Sequence, residues 1–263
     1  MREGRIIRKI KRLLRRAKIP AHPNHFGSKK FEFWKHFFCL ILKQGCKKSY
    51  ARISGFLSDL GFEAPCASAL CKCLKRMTVK QLEVLLQATN EFKKTLVAAV
   101  DGLYFSQNNP SFAYLKRIKR GLPRKTTQSV AFYDTRRKKW LAVKTRRKSI
   151  GEYKLAKKAM EKLLTVICTL VADKGFDINK FYEFLKKHGI KGIIPVKKGT
   201  HKGFFRNFMR KFFRKRTYHR RSLIESGISR LKRLYGGFLY SHKTTQQRKE
   251  VLLRMIADNL RIG

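Results

Sequence analysis

The spacing of hydrophobic positions divides the chain into a helical first part and a second part in which strands alternate with helices. In the first part, apolar residues recur at the 3.6-residue helical period over residues 30–43, 49–60 and 67–77. Thr78 stands where it can cap a further helix. The pattern therefore predicts an all-α N-terminal domain over residues 1–93.

A short break between the second and third of these helices predicts a helix-turn-helix at residues 49–77. Gly61 stands at the end of one helix, and Pro65 stands just before the next. The second helix of such a motif enters the major groove of DNA. It would present Lys72, Lys75 and Arg76 to the DNA. A plain helical hairpin packed on the core is the alternative.

After residue 93 the hydrophobic period changes. Apolar or alternating runs predict strands at residues 95–100, 128–133, 140–145, 165–172 and 191–196. Helical periodicity predicts further helices at residues 150–164, at residues 178–188 and from residue 218 onward. This alternation predicts an α/β fold with a mixed sheet flanked by helices over residues 94–263.

The charge of the chain indicates a polyanionic partner. Lys and Arg number 64 against 16 Asp and Glu, which gives a formal net charge of +48. Nucleic acid is the default partner for such a chain. No apolar run approaches the 18 residues of a membrane span, so we expect no membrane partner. The basic amphipathic N-terminus predicts a DNA-contacting arm or a helix packed on the body, with a membrane-surface helix or an organellar presequence as alternatives.

Two of the few acids stand where apolar strands end. Asp101 follows the run at residues 95–100, and Asp173 follows the run at residues 165–172. Ligands gather beyond the carboxyl ends of strands in open α/β sheets. Two close carboxylates either share a proton or hold a cation. Oxygen ligands without His or Cys favour Mg²⁺ or Mn²⁺ over zinc. A turn-capping role is the alternative for each Asp taken singly.

The third acid belongs to a polar stripe on the last helix. Tyr218, Glu225 and Lys232 are seven residues apart, and Arg221 lies on the same face. Arg221 is placed to hold Glu225 or to clamp a phosphate, and Lys232 to contact the DNA backbone. Apolar neighbours indicate that this helix packs on the sheet.

The spacing Tyr-x2-Arg-x3-Glu-x6-Lys resembles the signature of the large bacterial and archaeal insertion-sequence transposase superfamily. Asp101 in VAAVDG and Asp173 in VADKGFD resemble its first and second acidic motifs. The resemblance covers about residues 95–262. It implies a ribonuclease-H-like fold in which Asp101, Asp173 and Glu225 hold two metal ions. Asp177 is a further acid of the second motif, and we rank it below Asp173 because Asp173 ends the strand.

The resemblance also implies an activity and a setting. It implies metal-dependent cleavage and strand transfer at the ends of an insertion sequence, with Mg²⁺ or Mn²⁺ as cofactor. Double-stranded DNA is the implied partner, a homodimer on DNA is the implied assembly, and the prokaryotic cytoplasm, at the nucleoid, is the implied location. No covalent protein–DNA intermediate is needed, and no second motif supports a tyrosine recombinase.

Two basic segments extend the predicted DNA surface. Residues 197–221 contain no acid, and they include Arg214, Lys215 and Arg216. We expect these cations to contact DNA and most of the five interleaved Phe residues to lie in the core. Lys116 and Arg117 open the second segment, for which a solvated loop is the alternative. An inactive transposase remnant and a non-enzymatic binder of DNA or RNA remain the alternative functions.

Overall fold

The structure is a computed structural model that describes residues 4–23, 29–91, 93–107, 126–147, 150–199 and 203–262. The predicted DNA-binding residues Lys116 and Arg117 lie outside the described residues.

A mixed β-sheet forms the centre of the second part of the chain. Its strands are β1 (Thr95–Gln107), β2 (Thr126–Asp134), β3 (Lys139–Arg146), β4 (Ile167–Ala172), β5 (Lys191–Ile193) and β6 (Phe238–Leu239). The order is β3-β2-β1-β4-β5, and β6 pairs with the far end of β1. The pairs β1–β2 and β2–β3 are antiparallel, whereas β4 and β5 continue the sheet in parallel. The predicted α/β fold with a mixed sheet is confirmed.

Helices precede the sheet and cover both of its faces. The N-terminal helices are α1 (Arg5–Arg16), α2 (Phe33–Cys46), α3 (Tyr50–Asp59), α4 (Ala67–Arg76) and α5 (Val79–Ala88). The later helices are α6 (Glu152–Met160), α7 (Asn179–Lys187), α8 (Phe204–Phe212), α9 (Lys215–Tyr218), α10 (Ser222–Tyr235) and α11 (Thr244–Ile262). Thr78 caps α5 in a capping box with Gln81, as its position before the helix predicts.

The alternation of side chains along β1 separates two hydrophobic cores. Ala98 and Val100 pack with α6 and α7, whereas Ala99 and Leu103 pack with α10, α11 and helices of the N-terminal region. The basic amphipathic helix α1 packs on the body, where its Ile10 is fully buried. In the described part of the chain, no helix is long and apolar enough to cross a membrane.

A buried lysine joins the candidate helix-turn-helix to the core. Lys249 of α11 is only 3% exposed, and its Nζ donates to the carbonyls of Leu74 (2.8 Å) and Lys75 (3.0 Å) at the end of α4. Cations stabilise the carbonyl end of a helix. This contact therefore fixes α4, with its exposed cations, relative to the sheet.

We expect the Lys249→Met variant to be destabilised by about 1–3 kcal/mol. The last carbonyls of α4 lose their charged donor, whereas methionine keeps most of the apolar part of the lysine side chain. The free energy of unfolding in urea measures the effect. The exposed Lys243, just before α11, provides the matched control Lys243→Met, which should change stability little. Equal effects of the two substitutions would show that the α4 contact contributes nothing.

Candidate active site at the end of strand β4

Asp101 lies within β1 rather than at its end, so the prediction that it terminates the strand is wrong. The strand continues to Gln107 because β2 pairs with it antiparallel past Asp101, through Asp101↔Ala131 to Ser106↔Thr126. The parallel pairing with β4, however, stops at Val100↔Ala172. Asp101 therefore stands where the neighbouring strand ends, and this position is what brings it to the site.

Asp173 follows the last residue of β4, as predicted. Its Oδ1 accepts a hydrogen bond from the backbone N–H of Lys174 (2.6 Å) and caps the 3-10 turn Lys174–Phe176. Since Val100 pairs with Ala172, Asp101 and Asp173 follow neighbouring residues of two parallel strands. The register thus places both acids at one edge of the sheet.

Glu225 lies in the first turn of α10, which packs on the sheet. Ile224 is fully buried, and Gly227 lies close to the rings of Tyr133 and Trp140. A Cβ at position 227 would be 3.1 Å from the Tyr133 ring, so this glycine permits the close approach of helix and sheet. The face bearing Glu225 is consequently held beside Asp101 of β1 and the end of β4.

Arg221 contacts all three predicted acids. Its guanidinium nitrogens lie 2.8 Å from Glu225 Oε1, 3.4 Å from Asp101 Oδ2 and 4.0 Å from Asp173 Oδ2. Arg221 belongs to a 3-10 turn, His219–Arg221, between α9 and α10. The predicted stripe therefore crosses α9, this turn and α10 rather than a single α-helix. Its members Tyr218, Arg221 and Glu225 still meet at the site.

Burial and Arg221 have opposite effects on the pKa of Asp101. Burial raises the pKa of Asp101 above its ordinary value, and the nearby Glu152 and Asp173 carboxylates act in the same direction. Arg221 and the Gly102 N–H lower that pKa. Burial also raises the pKa of Tyr218, so its phenol stays protonated at neutral pH. Arg221 is thus the main counter-charge to a group of acids.

Glu152, at the start of α6, is a neighbour of the site that the sequence analysis missed. Its Oε1 accepts a hydrogen bond from the Tyr104 hydroxyl (3.0 Å), and its carboxylate lies against Gly102. A Cβ at position 102 would overlap that carboxylate. The available signal was the presence of an acid directly after the hairpin in a chain with only 16 acids.

The donor atoms of the site suit a hard divalent cation. Asp101, Asp173 and Glu225 provide only carboxylate oxygens, which Mg²⁺ and Mn²⁺ prefer. Among the described residues, no three acidic, His or Cys side chains are already grouped as metal ligands. Arg221 supplies the positive charge that the three acids share. The residues therefore fit a metal centre by their chemistry, with Arg221 as the competing cation.

Asp177, the second acid of the Asp173 motif, is buried and belongs to the fold. Its carboxylate accepts hydrogen bonds from Arg206 Nε (3.0 and 3.2 Å) and from the Lys197 backbone N–H (3.0 Å). This arrangement agrees with the lower rank that the sequence analysis gave to Asp177. It ties α8 to the loop that follows β4.

Substitution of the two acids of this motif should change stability by very different amounts. We expect Asp177→Ala to cost about 3–5 kcal/mol, because it removes a buried carboxylate that accepts hydrogen bonds from Arg206 and from the Lys197 backbone N–H. Asp173→Ala should change stability by less than about 1 kcal/mol, because Asp173 is 42% exposed and lies among other carboxylates. Urea unfolding of both variants measures the contrast. Similar losses would contradict the structural role of Asp177.

The predicted DNA-binding residues lie on several exposed surfaces. Three exposed cations belong to α4, three precede or begin α9, and Lys232 of α10 is partly buried. The exposed cations are Lys72, Lys75, Arg76, Arg214, Lys215 and Arg216. Only the second group adjoins the acidic site in sequence. The α4 cations belong to the N-terminal helical part of the chain, whereas the site is built from β1, β4 and α10.

The prediction for the Phe-rich segment is wrong for most of its rings. Phe204, Phe208 and Phe212 are exposed, whereas Phe205 and Phe213 are partly buried against the core. The buried side of α8 is occupied by Met209 and by the Arg206 pair with Asp177.

The central strand and its neighbour bring two acids to one edge of the sheet, and a late helix brings the third. This order of the sheet defines the ribonuclease-H-like class of proteins. The family described as "Transposase DDE domain" matches residues 94–260, more than half of the chain. The chain therefore belongs to the family of DDE transposases. Comparison with curated proteins gave no significant match.

The chain is also similar to solved structures. The piggyBac transposase in a synaptic complex with hairpin DNA is 8% identical, with 98% of this chain and 72% of that chain covered and a TM-score of 0.51. The HTLV-2 integrase catalytic core domain in complex with magnesium is 16% identical, with 59% and 94% covered and a TM-score of 0.27. The similarity to the transposase concerns the fold.

Proposed function

We propose that the chain catalyses metal-dependent cleavage and transfer of DNA strands at the ends of its own insertion sequence. The observation that supports this proposal is the position of Asp101, Asp173 and Glu225, which come from two strands and a helix and all contact Arg221. The chain has a net charge of +48, and a protein that only bound DNA would have no need to gather three carboxylates in such a basic field.

The roles of the residues follow from their positions. Asp101, Asp173 and Glu225 would hold Mg²⁺ or Mn²⁺, and three carboxylates suit a pair of such ions. Bound metal supplies Lewis-acid activation of water and stabilisation of the leaving oxygen. Arg221 orients Glu225 across one helical turn and is released to hold a phosphate when other cations neutralise the acids. Tyr218 and Lys232 line the same stripe and position the DNA backbone.

The DNA surface that we propose has two parts. Residues 1–93 act as the DNA-binding domain, with α3 and α4 as the helix-turn-helix and Lys72, Lys75 and Arg76 facing the duplex. Arg214, Lys215 and Arg216 bind the strand near the acids. Two element ends must be joined in one reaction, so we propose that a homodimer assembles on double-stranded DNA.

The test uses the purified full chain and a duplex that carries the ends of its own element. Cleavage is followed on denaturing gels with Mg²⁺, with Mn²⁺ and with a chelator, and a duplex with scrambled ends is the control. We expect nicking at the element ends only when metal is present. Binding without nicking in either metal would indicate an inactive remnant or a plain DNA binder.

Salt dependence tests the DNA surface separately. If six to ten phosphates are neutralised, raising the salt concentration from 50 to 200 mM should weaken duplex binding by about 10³–10⁵-fold. A flat response in a filter-binding or anisotropy titration would contradict the proposed partner.

A further inference from the structure

Helix α8 exposes three phenylalanine rings on one face. Phe204, Phe208 and Phe212 are spaced by four residues and are 73%, 43% and 54% exposed. The centroids of the Phe208 and Phe212 rings are 5.0 Å apart. We call these three residues the phenylalanine stripe.

The stripe is not needed to attach α8 to the protein. The other side of the helix is anchored by the Arg206 pair with Asp177, by buried Met209 and by Phe205, which stacks on Tyr182 at 5.5 Å. Large apolar patches that the fold does not use mark interaction sites. The stripe is therefore available to a partner.

The charge around the stripe restricts what that partner can be. Lys186 Nζ lies 5.8 Å from the Phe204 ring centroid, and Lys211 Nζ lies 5.6 Å from that of Phe212. The sequence contains no acid from residue 197 to residue 221. A second copy of the chain also has a net charge of +48, so without DNA between the two copies it would be repelled from this basic surface. An anionic partner with an apolar or aromatic component is complementary.

The stripe also leads toward the acids. Phe213, the residue after its last member, packs its ring 5.2 Å from that of Tyr218. Tyr218 is three residues before Arg221, whose guanidinium lies 4.0 Å from Asp173 and 2.8 Å from Glu225. A strand that passes along the stripe is thus directed to the site.

We infer that the phenylalanine stripe is a stacking surface for unpaired nucleotides of the DNA strand beside the cleavage site. Bases in a duplex are already stacked, whereas an unpaired base has a free face that an aromatic ring can cover. Aromatic rings interleaved with cations are the composition of single-strand binding surfaces. This inference rests on the proposed function, since it assigns to the stripe a part of the DNA substrate.

The experiment compares single-stranded and duplex DNA with the full chain. Fluorescence anisotropy measures the affinity for a labelled 20-nucleotide oligo(dT) and for a labelled 20-bp duplex. Three triple variants replace Phe204, Phe208 and Phe212 together by Ala, by Leu or by Trp. We expect Ala and Leu to weaken oligo(dT) binding by at least about tenfold and Trp to retain it. Duplex binding should stay within about twofold in all three.

The Leu and Trp variants separate stacking from a simple apolar contact. Leu keeps the apolar area but has no π face, so retention of oligo(dT) affinity by the Leu variant would overturn the inference. Unchanged affinity in the Ala variant would overturn it as well. Two other results would also overturn the inference: binding to anionic lipid vesicles, or self-association in sedimentation, that the Leu variant preserves and the Ala variant loses. Circular dichroism melting should be unchanged, because the rings are exposed.

Failure of this inference is distinguishable from failure of the proposed function. If the stripe plays no part, the wild-type chain still binds duplex and nicks element ends with metal. If the proposed function is wrong, metal-dependent nicking is absent whatever the stripe variants do.

Discussion

The Asp173→Asn and Glu225→Gln variants are expected to cut DNA at least about a thousandfold more slowly than the wild-type chain, while binding it at least as tightly. Each substitution removes a charged oxygen donor, and a loss of about 4 kcal/mol in transition-state stabilisation corresponds to a thousandfold in rate. Both side chains are substantially exposed, at 42% and 52%, so the fold should tolerate the change. One negative charge fewer beside the DNA favours binding.

Single-turnover cleavage of element ends at saturating protein measures this effect, with affinity determined separately. Glu183→Gln is the matched control, because Glu183 is an exposed carboxylate on α7 that is not one of the three acids. It should cut at the wild-type rate. If either active-site variant cuts as fast as the control, that residue is not part of the catalytic site.

The predictions that held were those that local sequence determines. Asp173 could be placed because the apolar run of β4 stops immediately before it, and the strand ends there. Arg221 and Glu225 could be paired because four residues span one helical turn, and they are 2.8 Å apart. The strands and helices of the sheet region follow from the same short-range periods.

The predictions that failed depend on contacts distant in sequence. The length of β1 beyond Asp101 is set by its pairing with β2, which a scan of apolar residues along one segment does not reveal. The outward face of α8 is set by the Arg206 pair with Asp177, 29 residues away. Periodicity shows that a helix has an apolar face, but not whether a charged anchor turns that face outward.

The helix that carries Glu225 is itself anchored by a buried ion pair. Asp258 of α11 is fully buried and accepts hydrogen bonds from Arg230 (2.6 and 3.1 Å) and from the Trp140 indole N–H (2.8 Å). Arg230 lies on α10, five residues after Glu225. The hydrogen bonds that Arg230 donates to Asp258 raise the pKa of Arg230, so the guanidinium stays charged. Asp258 thereby connects α10 to both α11 and β3.

We expect Asp258→Ala to destabilise the protein by about 3–5 kcal/mol, because Arg230 and Trp140 both lose their acceptor. Such a loss is comparable with the whole stability of many domains. In urea unfolding, the control Asp59→Ala, at an exposed acid of α3, should change stability little. At temperatures where the variant remains folded, DNA cleavage should still be slowed, because α10 is no longer fixed on the sheet. Full activity in the folded variant would show that the position of Glu225 does not depend on this ion pair.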